Sequence, residues 1–159
     1  MDNPIQPLTQ INTDEKWMTL AFRQAKLAEE IDEVPVGAVL VQNEQLITQA
    51  HNQPISNNDP TAHAEIQLLR QAGKKLNNYR LPNTVLYVTL EPCTMCLGAM
   101  IHARVSRVVF GAYDVKTGVC GSCQDLSNSA CFNHTIEVEG GILAGECKDL
   151  LQQFFKRRR

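Results

Sequence analysis

The sequence predicts a single α/β domain, built as a three-layer α/β/α sandwich with helices on both faces of one sheet. Strand-like and helix-like segments alternate along the chain, a pattern typical of sheets that are covered on both sides. The 159 residues suffice for one domain, and 43% hydrophobic with 20% charged residues is an ordinary globular composition. No repeat or internal linker divides the chain. We therefore expect residues 1–159 to form one domain, in which residues 1–13 are a flexible N-terminal extension.

The first half of the chain is predicted to hold two helices and a hairpin. Apolar residues recur at helical spacing after Asp14, a candidate N-cap, and the pattern ends near Ile31. Asp59-Pro60-Thr61 is a helix start signal, so a second helix is expected over residues 62–72. Between the helices, a short polar turn joins two strands that are expected to form a hairpin, residues 36–41 and 45–50.

The second half is predicted to alternate strand and helix and then to end in a helix. Pro92 breaks a β-rich run and opens a helix, because proline is well tolerated at the first helical position. The predicted segments are strands at 84–90 and 107–110, helices at 93–103 and 143–156, and a long loop at 111–133.

Composition excludes several classes of protein. The first sixteen residues lack the basic and apolar regions of a signal peptide, and no apolar run approaches the roughly 18 residues of a membrane helix. We therefore expect a cytoplasmic protein with no membrane partner. In that reducing compartment, the six cysteines are expected to be thiols, metal ligands or nucleophiles.

The charge is distributed unevenly along the chain. The net charge of −2 argues against nonspecific coating of nucleic acid. All 17 acidic but only 11 of the 15 basic residues lie in residues 1–155, a balance of −6, whereas the last four residues contribute +4. Positive charge is therefore concentrated at the end of the last predicted helix.

Two short motifs predict a catalytic metal site. His63-Ala64-Glu65 and the Cys93-to-Cys96 pair each stand at the start of a predicted helix. Unpaired N–H groups at that position favour negative charge and lower the pKa of a thiol. Two thiolates and one imidazole suit Zn²⁺ and leave its fourth tetrahedral position open, which is typical of catalytic rather than structural zinc.

Glu65 is the candidate proton carrier of such a site. Zinc can lower the pKa of a bound water to about 7, and a nearby carboxylate can then move protons between water and substrate. In a regular helix, residues i and i+2 point to nearly opposite sides. His63 must therefore lie in an irregular first turn if both side chains are to reach one metal.

The combination of H-x-E with P-C-x-x-C is the signature of zinc nucleobase deaminases. The chain resembles the bacterial tRNA-specific adenosine deaminases well beyond this signature, from about Trp17 onward. The resembling segments are VPVGAVLV (34–41), HNQP (51–54), DPTAHAEI (59–66), NYRL (78–81), LYVTLEPCTMCLGAMIHARVSRVVFGAYDVKTG (86–118) and FFKRR (154–158).

This resemblance implies a cytidine deaminase-like fold and a homodimeric, RNA-binding hydrolase that acts on C–N bonds of cyclic amidines. The family converts the wobble adenosine of a tRNA anticodon loop to inosine. One zinc per chain would be bound by His63, Cys93 and Cys96, with Glu65 as proton shuttle. The remaining implied roles are base recognition by Asn52, pocket lining by Val34, RNA backbone contacts by Asp114 and Lys116, and anticodon-loop contacts by the C-terminal residues, including Phe155 and Arg158.

Two alternatives stay open at this stage. A non-enzymatic zinc module could use Cys93, Cys96 and the second pair, Cys120 and Cys123, although it would leave His63 and Glu65 unexplained. A deaminase of a free base or nucleotide, such as guanine or deoxycytidylate, would use the same motifs. The residues do not distinguish adenine from cytosine, since both reactions need the same zinc, water and carboxylate.

Several residues are predicted to be structural. Cys120 and Cys123 are expected to be free thiols in a loop, and Cys131, like these two, departs from the family pattern. The residues expected to serve only packing or structural hydrogen bonds are Cys131, Cys147, Tyr79, Met100, His51, His102 and His134.

Overall fold

A computed structural model describes residues 7–158, which form one sheet of five strands with four helices. None of these helices is long and apolar enough to cross a membrane. The elements are α1 (Leu8–Glu30), β1 (Gly37–Gln42), β2 (Gln45–His51), α2 (Ala64–Leu76), β3 (Thr84–Leu90), α3 (Thr94–His102), β4 (Arg107–Ala112), β5 (Glu137–Gly140) and α4 (Ala144–Arg157).

The sheet is mixed, with strand order β2-β1-β3-β4-β5. β1 pairs antiparallel with both β2 and β3, whereas β3, β4 and β5 run parallel. In the central register, Val88 of β3 is paired with Ala38 on one side and with Phe110 on the other. The carboxyl end of β3 therefore lies beside the amino end of β1, and the chain enters the Pro92-Cys93 turn at this edge.

Helices cover both faces of the sheet, as the predicted three-layer sandwich requires. Successive residues of a strand point to opposite faces. Val39, Tyr87 and Val109 form one core cluster with Trp17 and Met18 of α1. The alternate strand residues pack in the other cluster with residues of α2 and α3: Leu40, Leu86, Val88, Val108 and Phe110 against Leu68, Leu97 and Met100.

α4 lies on the same side of the sheet as α1. Gly111, which faces that side, is packed so closely that an added Cβ would lie 2.6 Å from the Sγ of Cys147 in α4. At the end of the two helices, Arg157 is paired with Glu29 at 2.9 Å. The C-terminal helix is thereby held beside the end of α1.

Helix α1 begins earlier than predicted, at Leu8, so the expectation of a flexible extension over residues 1–13 is wrong for residues 8–13. The first six residues of that extension lie outside the described part of the chain. Asp14 is not an N-cap but lies inside the helix with no exposed surface. It accepts hydrogen bonds from both Nη atoms of Arg107, at 3.0 and 2.8 Å, and from Tyr87 Oη at 2.8 Å.

The Asp14–Arg107 pair joins α1 to the sheet through a buried ion pair. Burial by itself raises the pKa of Asp14, but the hydrogen bonds from Arg107 and Tyr87 outweigh it, and the pKa ends below its ordinary value. The pKa of Tyr87 is raised by burial and by its bond to Asp14. Sequence periodicity could not reveal this contact, because its partners are 93 residues apart.

The other differences from prediction concern irregular or exposed segments. Strand β5 was not predicted, and residues 113–136 form a long connection before it. Tyr79 and Cys131 were expected to pack but are exposed, whereas Met100 and Cys147 are buried as predicted. Two histidines make the expected structural hydrogen bonds, His51 with Gln24 and His134 with the carbonyl of Val105.

Replacing Arg107 with Met is expected to lower the free energy of unfolding by about 3–5 kcal/mol, because Asp14 then stays buried without its charge partner. Urea unfolding at pH 7, followed by the fluorescence of Trp17, measures the loss. The double variant Asp14→Leu/Arg107→Met removes both charges and should recover part of it. Equal losses in the single and the double variant would contradict this role of the pair.

The same pair predicts a pH dependence. Since the pKa of Asp14 is lower in the folded chain than in the unfolded one, its contribution to stability is present above the unfolded value of about 3.9. The contribution is lost as the pH falls through the lower, folded value. The double variant should therefore unfold in acid with a shallower pH dependence than the parent protein.

Candidate active site

His63 and Cys93 occupy equivalent positions, each as the N-cap residue of a helix. His63 precedes α2 with an extended backbone, φ −65° and ψ 153°, and Cys93 precedes α3 with φ −82° and ψ 174°. The extended conformation turns His63 out of the helical arrangement, so that it and Glu65 reach the same place. The irregular first turn that the sequence required is therefore present.

Three potential ligand atoms converge at these helix starts. The Nδ1 atom of His63 lies 3.7 Å from Cys93 Sγ and 3.4 Å from Cys96 Sγ. Zn–S bonds of about 2.3 Å and Zn–N bonds of about 2.0 Å at tetrahedral angles separate nitrogen and sulfur by about 3.6 Å. The three side chains therefore fit a zinc ion, and within residues 7–158 they are the only such group of three ligands.

The charges of the metal-free site favour cation binding. A hydrogen bond from Cys96, followed by one from His63, lowers the pKa of Cys93 to about 4. The proton is retained by Cys96, whose pKa is raised by its bond to Cys93 and by burial. The bond to Cys93 also raises the pKa of His63. Zinc binding requires both thiolates and a neutral imidazole, so it must release protons.

Glu65 lies in the first turn of α2 and is only 4% exposed. Burial raises the pKa of its carboxyl, and the charge of Cys93 adds to this effect. A carboxyl group of raised pKa is suited to take up and release a proton near neutrality. Its placement beside the three ligands gives the site a proton carrier that is not itself a member of the ligand group.

A cavity of about 220 Å³ opens onto this group. Typical pockets for drug-sized ligands measure about 300–1,000 Å³, so this one suits a single ring system. Asn52, predicted to recognise the base, is buried, and its Oδ1 accepts a hydrogen bond from the N–H of Ala64 at 2.9 Å. Its amide NH₂ has no partner within the described residues. The cavity is lined by Val34, Val36, Asn52, His63, Glu65, Leu90, Glu91, Cys93, Asp114 and Thr117.

The predicted RNA-contacting residues Asp114 and Lys116 belong to a tight loop at the rim of the cavity. The Oδ1 atom of Asp114 accepts hydrogen bonds from the N–H groups of Lys116 and Thr117 at 3.0 and 3.1 Å. Its Oδ2 atom accepts one from Thr117 Oγ1 at 2.8 Å. Asp114 thus shapes its own loop, while the side chain of Lys116 is exposed. An RNA contact by either residue stays a prediction.

Glu91 was not singled out by sequence reasoning, although it lines the cavity and is only 3% exposed. Its carboxylate accepts hydrogen bonds from the N–H groups of Asp114, Cys120 and Ser122 and from the Ser122 hydroxyl. The available signal was an acidic residue placed directly between a β-rich run and the Pro-Cys motif. An ionisable side chain next to a predicted buried strand needs partners.

The C-terminal residues divide into two groups. Phe155 is 48% exposed and lines a second cavity of about 670 Å³ together with Val34, Tyr113 and Lys116. Arg158 faces away from it, because its guanidinium donates to the carbonyl of Asp32 at 2.7 Å and stacks on Phe154. The structure therefore brings Phe155, but not Arg158, to the cavity rim. Arg159 lies outside the described residues.

The second pair of cysteines does not join the metal site. Cys120 is buried, Cys123 is exposed, and both are free thiols, as predicted. Within residues 7–158, neither belongs to a cluster of three potential ligands. The four-cysteine structural module is therefore not formed.

Comparison with known proteins agrees with this site. A model of the MafB19-like deaminase family matches residues 12–159. A tRNA-specific adenosine deaminase of Haemophilus influenzae is 52% identical over 147 residues, which cover 92% of this chain and 85% of that protein.

Two solved structures are similar to the chain. One comes from a study of A-to-I editing by tRNA:A34 deaminases at the wobble position of transfer RNA; it is 43% identical, with a TM-score of 0.81 over 86% of this chain and 99% of its own. The other, guanine deaminase from Bacillus subtilis, is 38% identical, with a TM-score of 0.60 over 62% of this chain and 64% of its own. The first match confirms the predicted cytidine deaminase-like fold. The chain therefore belongs to the MafB19-like deaminases and to the tRNA-specific adenosine deaminase family.

Proposed function

We propose that this protein is a zinc-dependent hydrolytic deaminase that converts the wobble adenosine of a tRNA anticodon loop to inosine. The observation that carries the proposal is the convergence of His63, Cys93 and Cys96 beside the buried carboxyl of Glu65, at the base of a cavity the size of one ring system. Family membership supports adenosine in tRNA as the substrate. Such an enzyme works in the cytoplasm, where tRNA is found.

His63, Cys93 and Cys96 would hold one zinc ion per chain, since their atoms are spaced as tetrahedral ligands. When bound in a site with three protein ligands, zinc lowers the pKa of a coordinated water to about 7 and so supplies hydroxide at neutral pH. The protein's part is to present two thiolates and an oriented imidazole in a place that is closed on the side of the core.

Glu65 performs the proton transfers of the proposed reaction. Its carboxylate takes a proton from the attacking water and delivers it to a ring nitrogen of the base, while the oxygen bonds to the carbon that bears the amino group. It then passes a second proton to the departing amino group. The C–N bond breaks, and ammonia leaves. Adenosine and water thus give inosine and ammonia, and one carboxyl group serves as base and acid in turn.

The cavity wall explains how a single base could be held. Val34 and Leu90 offer apolar surface to the faces of a ring, and the Asn52 amide NH₂ is available to a base acceptor atom. A base inside a folded tRNA stack cannot enter such a cavity, so the nucleotide must be flipped out. The anticodon loop meets this need, because its bases are unpaired.

Contacts to the rest of the loop are proposed for the second cavity, which shares Val34, Leu90 and Asp114 with the first. The exposed aromatic rings of Tyr113 and Phe155 border it. Aromatic rings can stack on unpaired bases, and lysine side chains such as that of Lys116 can contact phosphates. The predicted RNA contacts of Asp114 and Arg158 remain part of the proposal.

We also propose that the protein is a homodimer that associates through the outer surface of α2 and α3. This surface carries a broad groove bordered by the apolar side chains of Leu69, Tyr79 and Ala99. Tyr79 is 78% exposed, which is unusual for a large aromatic residue without a partner. A second copy of the chain would cover these residues, as the family resemblance implies.

A second candidate function is deamination of a free base or nucleotide, such as guanine or deoxycytidylate. The cavity of about 220 Å³ favours it, since it suits a free base as well as a flipped one. The Bacillus subtilis guanine deaminase shares this fold with the chain. Incubation with total tRNA and with free bases, nucleosides and nucleotides, followed by quantification of the deaminated products, distinguishes the two functions.

Replacing Glu65 with Ala is expected to keep one zinc per chain and to slow deamination by about 10²–10⁴-fold, because the proton carrier is lost but the ligands remain. Metal analysis and single-turnover assays measure both effects. Cys96→Ala should lose zinc, whereas the double variant Cys120→Ala/Cys123→Ala should keep it. A zinc-free Glu65→Ala protein, or one with near-normal turnover, would contradict the assignment.

Replacing residues 156–159 with alanine is expected to weaken tRNA binding and to flatten its salt dependence, by about 0.7 in the logarithmic slope for each lost phosphate contact on a single strand. Binding to an anticodon stem-loop at several salt concentrations measures this. The parent protein should deaminate a wobble adenosine in that loop and leave a cytidine there unchanged.

Lys16→Ala serves as the control for charge removal, since this exposed lysine lies near the start of α1, whereas the tail contacts its end. Unchanged loop affinity in the tail variant, combined with faster turnover of a free base or nucleotide, would assign the second candidate function instead.

The double variant Leu69→Asp/Tyr79→Asp is expected to be monomeric, because it places two charges in the proposed dimer surface. Sedimentation velocity should give about twice 17.7 kDa for the parent protein and 17.7 kDa for the variant. Leu27→Asp, on the opposite side of the sheet, is the matched control and should stay dimeric. A monomeric parent protein at micromolar concentration would refute the proposed dimer.

A further inference from the structure

We propose that Glu91 is a positioning residue that holds the loop between β4 and β5 as a wall of the substrate cavity. This inference uses the proposed function only for its kinetic readout. Glu91 is buried, lines the cavity and takes no part in the zinc or proton chemistry described above. Its neighbours in the chain explain its reach: Leu90 ends β3, and Pro92 leads into the zinc-binding turn.

The carboxylate is surrounded by donors from the loop. Its Oε1 accepts from the N–H of Asp114 at 3.1 Å and from the hydroxyl of Ser122. Its Oε2 accepts from the N–H groups of Cys120 and Ser122 at 3.0 and 3.1 Å. One side chain therefore binds the start and the end of a nine-residue stretch, residues 114–122. Four donors on two oxygens match the acceptor capacity of an ionised carboxylate.

The backbone on either side of Glu91 reinforces this attachment. The N–H of Glu91 donates to the carbonyl of Ala112 at 2.9 Å, and the carbonyl of Pro92 accepts from the N–H of Val119 at 3.0 Å. The loop is thus hydrogen-bonded to the two residues that directly precede Cys93. Its position is set relative to the zinc ligands rather than to the distant ends of the sheet.

Close packing shows that the loop has little room to shift. A Cβ atom on Gly118 would lie 2.4 Å from Cδ of Glu91 and 2.5 Å from the carbonyl oxygen of Asp114. Only glycine allows this approach. The result is that Asp114 and Thr117, which line the cavity, stand at a fixed distance from Glu65 and His63 across it.

A glutamine at position 91 tests the charge and acceptor character without changing size. Its amide NH₂ would replace one acceptor oxygen and would face at least one N–H donor in either orientation, because Ser122 Oγ alone among the four donors can also accept. The loop should then detach at one end. Glu91→Ala would leave three backbone N–H groups without an acceptor and is expected to unfold the chain, so it is not used.

The experiment compares Glu91→Gln with the parent protein on an anticodon stem-loop that carries a wobble adenosine. We expect KM to rise at least tenfold while kcat stays within threefold, because the cavity wall is displaced but the proton carrier and the ligands are not. Zinc content should remain one per chain. Ser122→Ala, which removes one of the four hydrogen bonds, should raise KM by a smaller factor, and Glu44→Gln, an exposed acid in the turn between β1 and β2, should leave both constants unchanged.

A second readout needs no substrate. Cys120 is buried and follows the loop, whereas Cys123 is exposed. In the parent protein, iodoacetamide should label Cys123 and spare Cys120, as followed by peptide mass spectrometry. In Glu91→Gln, both should be labelled at similar rates. This comparison tests the position of the loop even if the parent protein proves inactive on the stem-loop, which would refute the proposed function alone.

Two results would overturn the inference. An unchanged KM with Cys120 still protected would show that the carboxylate does not hold the loop. A fall in kcat equal to the rise in KM, accompanied by loss of zinc, would show that Glu91 supports the metal site as a whole and does not position the cavity wall.

Discussion

The meeting of two helix starts is the constraint on which the rest of this molecule depends. His63 and Cys93 are both N-cap residues with extended backbones, and their side chains point to one place. This requires α2 and α3 to begin at the same edge of the sheet, which in turn requires β1 and β3 to lie side by side. The N–H groups at both helix starts favour the negative charge of the thiolates, so the fold itself prepares the ligands.

Much of this arrangement is visible in the sequence because its signals are local. Strand β3 was predicted with its observed bounds, and Pro92 and the Asp59-Pro60-Thr61 signal marked helix starts within two or three residues. The three metal ligands followed from motif spacing and ligand chemistry. Each of these features depends on residues that are near one another in the chain.

The features that escaped prediction depend on distant contacts. Asp14 reads as an N-cap because only Arg107, 93 residues away, explains an acid inside a helix. Glu91 reads as a surface residue because its partners lie 23 to 31 residues further on. Strand β5 is short, and its burial pattern does not alternate, so periodicity could not find it. Tyr79 was assigned to packing by its type alone, yet it is exposed.

The two sides of the substrate cavity are built in different ways, and this bears on how such a protein can change. One side consists of helix starts anchored in the core, where almost any substitution disturbs the metal ligands. The other is an irregular segment attached largely through main-chain N–H groups, which every residue except proline possesses. Side chains along that segment are therefore free to vary, and relatives with the same catalytic machinery can acquire different substrates by drift in one loop.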